Sequence, residues 1–230
     1  MKKVTVYVES VEKGIKEEDI HIKDVLVVGY GGRDLKKVQE HIDELAEIGV
    51  APPSTIPAVY PMQLSNLSFE QAINVARKET SGEAEYVLFH NGAEWLITLG
   101  SDHTDRFLEI EDIQLSKESC PKPLATKFWR LEDVQNHWDQ LYLRSWITDE
   151  QGTRKYQEHD LTSLLSVNDL LNKLEGFGYK DISNTVIFSG TVPTLEGFVY
   201  GSKFEYELAD PVLNRKIESS YSIAIQEVRV

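Results

Sequence analysis

Ser81-Gly82-Glu83-Ala84-Glu85, the apolar run over residues 86–100 and then Ser101-Asp102-His103-Thr104-Asp105-Arg106 form the stretch on which the reading of this chain turns. Glu83 and Glu85 are two residues apart, so on a strand both side chains leave the same face. Like charges side by side are unfavourable unless a cation joins them. Asn91-Gly92 is a strong hairpin signal and predicts that the chain turns there and runs back antiparallel to its start. That return carries Asp102 toward the glutamates. Three converging carboxylates would make an all-oxygen site suited to Mg²⁺, Mn²⁺ or Ca²⁺ rather than zinc. The same spacing also describes the solvated face of a half-exposed strand, with Asp102 and Asp105 satisfying loop donors. Spacing alone favours that plainer reading and leaves the metal site open.

Outward from this stretch, 230 residues suffice for one large domain, and nothing forces a division. Residues 1–230 are read as a single domain, with a strand segment at 1–23 packed on it. The 24 Lys and Arg against 38 Asp and Glu give a net charge of −14, spread along the chain rather than gathered in a tail. Such a chain is a poor partner for nucleic acid or an anionic membrane surface. Residues 1–9 alternate valine with polar residues and lack the apolar core of a signal peptide, so a strand is expected there. The longest apolar runs, such as Val25-Leu26-Val27-Val28, are too short to span a bilayer. Cys120 stands alone, which excludes an internal disulfide and fits a reducing cytoplasm.

Taken in order, residues 14–19 suggest a turn and residues 24–30 a buried strand, broken by Gly31-Gly32. Asp34 caps a helix over residues 35–48, where Leu35, Val38, Ile42 and Leu45 recur at helical spacing. His41 and Glu44 lie on neighbouring turns of it, either as a hydrogen-bonded general-base dyad or as an ordinary surface pair. Prolines at 52, 53, 57 and 61 make a rigid extended connection. Residues 68–79 suit a short helix or a strand. Residues 115–123 read as a loop carrying Lys117, which is either a partner for negative charge on a substrate or one more solvated lysine. A short helix is expected at 131–141 and strands at 141–148 and 153–158, with Trp129, Trp138 and Trp146 in the core. A second helix falls within 161–175, and strands follow at 184–188, 198–200, 204–208 and 216–228. There is no phosphate loop, dinucleotide fingerprint or nucleophile elbow.

These residues together resemble the fumarylacetoacetate hydrolase superfamily, in a poorly characterised branch, over about residues 25–191. Members carry Glu-x-Glu, about fifteen residues, and then Asn-Asp-x-x-x-Arg-Asp. Here Glu83-Ala84-Glu85 precedes Ser101-Asp102-His103-Thr104-Asp105-Arg106-Phe107. Ser116-Lys117-Glu118-Ser119 is similar to the family's lysine loop before a proline, and Ser189-Gly190-Thr191 to its Thr-Gly-Thr. Gly29-Tyr30, His41-Ile42-Asp43-Glu44 and Pro52-Pro53 echo the upstream motifs. Ser101, Phe107 and Glu109 depart from the family asparagine, aspartate and glutamine, and the interval from Tyr30 to His41 is longer than usual.

The resemblance implies an α+β, β-rich fold, a mixed β-sandwich or roll like the fumarylacetoacetase C-terminal domain with a few peripheral helices, assembled as a homodimer. It implies metal ligands at Glu83, Glu85 and Asp102, catalytic roles for His41, Glu44 and Lys117, and substrate contacts at Tyr30, Arg106 and Thr191. The implied cofactor is Mg²⁺, or Mn²⁺ or Ca²⁺, acting as a Lewis acid on a small anionic oxo-acid. The implied activity is hydrolytic C–C cleavage of an acylpyruvate or related diketo acid. Decarboxylation or tautomerisation of the same substrate class is the alternative, and so is a metal-binding or ligand-binding module without turnover.

Overall fold

In a computed structural model, which describes residues 1–47 and 49–226, the chain turns at Asn91-Gly92 as the sequence predicts. The Asn91 side chain accepts from the backbone N–H groups of Ala93 and Glu94, closing the turn locally. Ile48, the last residue of the predicted first helix, and Glu227-Val228, the end of the predicted last strand, lie outside the described residues.

The strands are β1 (Lys2–Ser10), β2 (Gly14–Ile22), β3 (Asp24–Gly29), β4 (Ala58–Met62), β5 (Ala72–Val75), β6 (Ala84–His90) and β7 (Trp95–Ser101). They continue with β8 (Lys127–Arg130), β9 (Tyr142–Asp149), β10 (Gly152–Asp160), β11 (Thr185–Phe188), β12 (Lys203–Asp210) and β13 (Arg215–Ile225). The helices are α1 (Leu35–Glu47), α2 (Arg106–Glu109), α3 (Ile113–Glu118), α4 (Leu131–Val134) and α5 (Val167–Gly176). Eight strands form one mixed sheet in the order β2-β1-β8-β7-β6-β11-β3-β4, and five form a second in the order β10-β9-β12-β13-β5. Among the described residues, no helix is long and apolar enough to cross a membrane.

Period-two alternation divides the central hairpin between two cores. Tyr86, Leu88, Ile97 and Leu99 face the five-stranded sheet and pack with residues such as Leu143 and Phe204. Val87, Phe89 and Leu96 face the other way, into a second cluster that draws on every strand of the large sheet, from Ile20 on β2 to Met62 on β4. One cluster can collect side chains from all eight strands only if the sheet curls round it. The result is the β-rich α+β sandwich or roll expected above.

Several local expectations are corrected. Residues 14–19 are not a turn but the start of β2, an edge strand whose exposed Lys16 and Glu17 discourage further pairing; the turn falls at residues 11–13. The ambiguous segment at 68–79 contains β5, with Ile73 and Val75 buried on one face. Residues 115–123 are not all loop, because Asp112 caps α3 by accepting from Leu115 N–H at 2.9 Å, and the prolines come only after the helix ends. The helix expected at 131–141 stops at Val134 and continues as a 3₁₀ segment kinked at His137. Leu164 and Leu165 precede α5 instead of lying on it. Residues 198–200 form no strand. Trp129 and Trp138 are buried, but Trp146 is half-buried on the outer face of β9, opposite Leu143 and Ile147. Pro61 lies within β4, where an edge position spares it the missing donor.

Candidate functional site

The ends of β3, β7 and β11 and the start of β6 meet at one edge of the large sheet, because Ala84 pairs with Ser101 and Phe188 with both Val27 and Val87. The Asp102 N–H donates to the Glu83 carbonyl at 3.0 Å, which seats Asp102 beside the Glu-x-Glu unit. One carboxylate oxygen from each of Glu83, Glu85 and Asp102 lies within 4.8 Å of the others. Glu83 stands just before β6, and Glu85 is on it, 2% exposed.

The three carboxylates differ in their partners. Glu85 Oε2 accepts from the Gly190 N–H at 2.9 Å, and among the described residues no cation pairs with it. Burial, then the neighbouring Asp102 and Glu83, push its carboxyl well above the ordinary glutamate value. For Asp102, burial acts in the same direction, but the Lys117 and Lys122 ammonium groups outweigh it and hold the carboxyl well below the usual range. Lys117 contacts Asp102 Oδ2, and Lys122 lies 3.0 Å from Oδ1. Glu83 Oε1 lies 2.8 Å from Arg106 Nη2. An all-carboxylate donor set that leaves buried Glu85 without a counter-charge fits a hard divalent cation.

Two side chains clamp the residue between the glutamates. The Gln157 carbonyl oxygen accepts from Ala84 N–H at 3.0 Å, and the Thr191 hydroxyl donates to the Ala84 carbonyl at 2.8 Å. Gln157 Nε2 in turn donates to Thr191 Oγ1 and to the Val192 carbonyl, both at 2.7 Å. The loop that supplies Gly190 and Thr191 packs backbone to backbone on the turn after β3. A Cβ on Gly31 would lie 2.9 Å from the Ser189 carbonyl, and Gly190 has φ of +92°.

A cleft of about 770 Å³ opens over Glu83 and Glu85 and is lined also by Tyr30, Tyr60, Arg106, Glu109, Lys117, Thr191 and Phe198. Arg106 is 6% exposed; its Nε donates to Ser81 Oγ at 2.8 Å and its Nη1 to both oxygens of Glu109. Nη2 is close to Glu83 yet off the line of a hydrogen bond, and it has no other acceptor. The guanidinium stacks on Phe198 at 4.0 Å. Asp105 accepts from the N–H groups of Phe107 and Leu108, so it caps α2 and stands outside the carboxylate cluster. Burial lowers the affinity of Lys117 for its proton, but Asp102, Glu83 and Glu109 more than reverse this and hold it above an ordinary lysine.

The structure thus brings eight of the nine sequence-predicted site residues to the lining of one cleft, at different depths, and buries the ninth, Asp102, behind that lining, against Glu83, Glu85 and Lys117. His41 and Glu44 line its outer part on α1, 57% and 78% exposed, with 3.8 Å between Nδ1 and Oε2. The His41 ring lies 6.3 Å from that of Tyr30, whose φ of +57° is left-handed. Sequence reading missed Gln157, Lys122 and the buried His103, whose ring bridges Thr80 and Tyr221. A glutamine inside a strand and a lysine between two prolines carry no local signal for burial.

The family model described as protein of unknown function (DUF2848) matches residues 28–221. No curated protein matches the sequence. Among solved structures, a yeast fumarylacetoacetate hydrolase family protein is 12% identical, with a TM-score of 0.60 over 89% of this chain and 94% of its own. A protein from Yersinia pestis assigned to the same family is 14% identical, with a TM-score of 0.63 over 94% and 99%. The 2-keto-3-deoxy-D-arabinonate dehydratase solved with magnesium and 2,5-dioxopentanoate is 15% identical, with a TM-score of 0.61 over 94% and 78%. The chain has the fold of fumarylacetoacetate hydrolase family proteins and belongs to the DUF2848 family.

Proposed function

We propose that this chain is a divalent-metal-dependent enzyme acting on a small oxo-carboxylic acid, and that it cleaves a C–C bond hydrolytically in an acylpyruvate or related diketo acid. The observation that carries the reading is the carboxylate cluster at the base of the cleft, where Glu83, Glu85 and Asp102 converge and buried Glu85 has no cationic partner among the described residues. Glu83, Glu85 and Asp102 would hold Mg²⁺ or Mn²⁺. The ion supplies Lewis acidity toward a chelating oxo-carboxylate.

The remaining residues divide the work by position. Arg106, with Nη2 lacking an aligned acceptor, would take a substrate carboxylate, while Phe198 and Glu109 keep the guanidinium in place. Lys117, held protonated by Asp102, would donate to negative charge developing on the reacting oxygen. Tyr30 and the Thr191 loop would shape the substrate face. His41, oriented by Glu44, would take a proton from the attacking water, which requires these two side chains, both on α1, to close from their present 3.8 Å.

That exposed pair favours a second reading, in which the same floor serves dehydration, decarboxylation or tautomerisation and needs no activated water. The fold shared with a dehydratase supports it. Assays of wild type and His41→Ala on acylpyruvates, oxaloacetate and 2-keto-3-deoxy acids, with Mn²⁺ or with chelator, separate the readings. Metal-dependent cleavage lost in His41→Ala supports the hydrolase. Turnover that survives His41→Ala supports the second reading. No turnover on any of them would reduce the chain to a metal-binding or ligand-binding module.

A further inference from the structure

Lys122 is a cation that the proposed chemistry does not use, yet its side chain is 0% exposed. Lysines are almost never fully buried unless paired, so what surrounds this one is informative. Its Nζ donates to the His103 carbonyl at 2.7 Å and to the Lys117 carbonyl, and it lies 3.0 Å from Asp102 Oδ1. Two of the three ammonium hydrogens go to backbone carbonyls, and the charge itself is met by the Asp102 carboxylate. The oxygens come from two segments: the Asp102 carboxylate and the His103 carbonyl just after β7, and the Lys117 carbonyl in the last turn of α3. The stem is fixed as well, since Lys122–Pro123 pairs in parallel with Leu67–Ser68.

We infer that Lys122 is a tethered internal cation that positions Asp102 and the end of α3 carrying Lys117. It is a positioning residue, as it is absent from the cleft lining and touches Asp102 and the Lys117 carbonyl instead. One lysine pairs with each oxygen of Asp102: Lys117, which lines the cleft, with Oδ2, and Lys122, which does not, with Oδ1. A space-filling residue at 122 could not do this, because three oxygens converging on an apolar group would repel one another with nothing to compensate. The role in metal binding rests on the reading of Asp102 as a ligand, but the role as an internal cation does not.

The test uses Lys122→Ala, which leaves room for an ion, and Lys122→Met, which fills the space. Each is melted in EDTA with ethylammonium or tetramethylammonium chloride at equal ionic strength. Ethylammonium is expected to raise the melting temperature of Lys122→Ala by about 3 °C or more over tetramethylammonium, and to leave wild type and Lys122→Met unmoved. If Lys122→Ala folds only in ethylammonium, the inference is equally supported. Manganese affinity of Lys122→Met is expected to fall about tenfold or more, as for loss of an outer partner of a ligand. An Ala variant indifferent to the cation, or one unfolded in both salts beside a Met variant with wild-type manganese affinity, overturns the inference. Cation rescue combined with unaltered manganese affinity in Glu85→Gln would instead sink the metal reading and leave the internal cation standing.

Discussion

Gln157→Leu removes the clamp behind the metal-site glutamates while nearly conserving volume, so its effect isolates hydrogen bonding. The wild-type amide is 0% exposed and serves four partners: Ala84 N–H, Ser145 Oγ, Thr191 Oγ1 and the Val192 carbonyl. Thr191 keeps its bond to the Ala84 carbonyl, so three buried groups are stranded. At about 1–3 kcal/mol for each unsatisfied buried group, the loss is about 3–9 kcal/mol. Burying the new leucine returns about 1.5–3 kcal/mol. The net loss spans about 0–7.5 kcal/mol and centres on about 4 kcal/mol, a large part of the roughly 5–15 kcal/mol by which domains are stable. Urea unfolding in EDTA, followed by circular dichroism, measures it as a fall in midpoint with unchanged slope. Because Ala84 sits between Glu83 and Glu85, manganese affinity is expected to fall as well. A variant more stable than wild type would refute the view that Gln157 satisfies these groups.

Two further outcomes follow from buried groups. Burial, then Lys122 and Arg106, pull the His103 ring down to about 3, whereas the unfolded chain titrates near 6.5. Between these values the unfolded state binds a proton that the fold refuses, so stability is full above pH 6.5 and falls by about 1.4 kcal/mol per unit as the pH drops. Unfolding midpoints for wild type and His103→Asn across pH 4–8 check this; parallel profiles would count against it. Cys120 is 1% exposed, and burial pushes its thiol above the ordinary value. Labelling by a thiol reagent at about pH 8 is therefore expected to wait on unfolding, and rapid labelling in native buffer would contradict the packing.

The parts of the fold written in local pattern were legible in the sequence. Asn91-Gly92 set the turn, and the antiparallel return then placed Asp102 against Glu83 by register alone. The α1 helix also matched, apart from the residue outside the described region, although Leu35 at its start is exposed and only Val38 and Ile42 are buried. What stayed hidden depends on contacts between distant segments. The charges of β2 looked like a turn because an edge strand needs no buried alternation along most of its length. Lys117 seemed to sit in a loop because two nearby prolines masked the Asp112 cap. Lys122 and Gln157 gave no sign of burial, since their partners lie 5 to 73 residues away in sequence and only the folded sheet gathers them. The metal cluster was visible as spacing and resemblance; its outer partners were visible only as geometry.

The most direct test of the metal site compares wild type with Glu85→Gln, a neutral isostere at the buried carboxylate that has no cationic partner among the described residues. Calorimetry of metal-stripped protein with Mn²⁺ and Mg²⁺ gives affinity, and urea unfolding in EDTA gives stability. Burial and the Asp102 and Glu83 charges raise the Glu85 carboxyl, so its ionised form opposes folding above the ordinary glutamate range. The account predicts about one ion bound per wild-type chain, affinity lower by about tenfold or more in Glu85→Gln, and metal-free stability equal to or above wild type. Undiminished affinity in Glu85→Gln, or no binding to wild type at millimolar metal, would contradict the claim that Glu83, Glu85 and Asp102 hold a divalent cation.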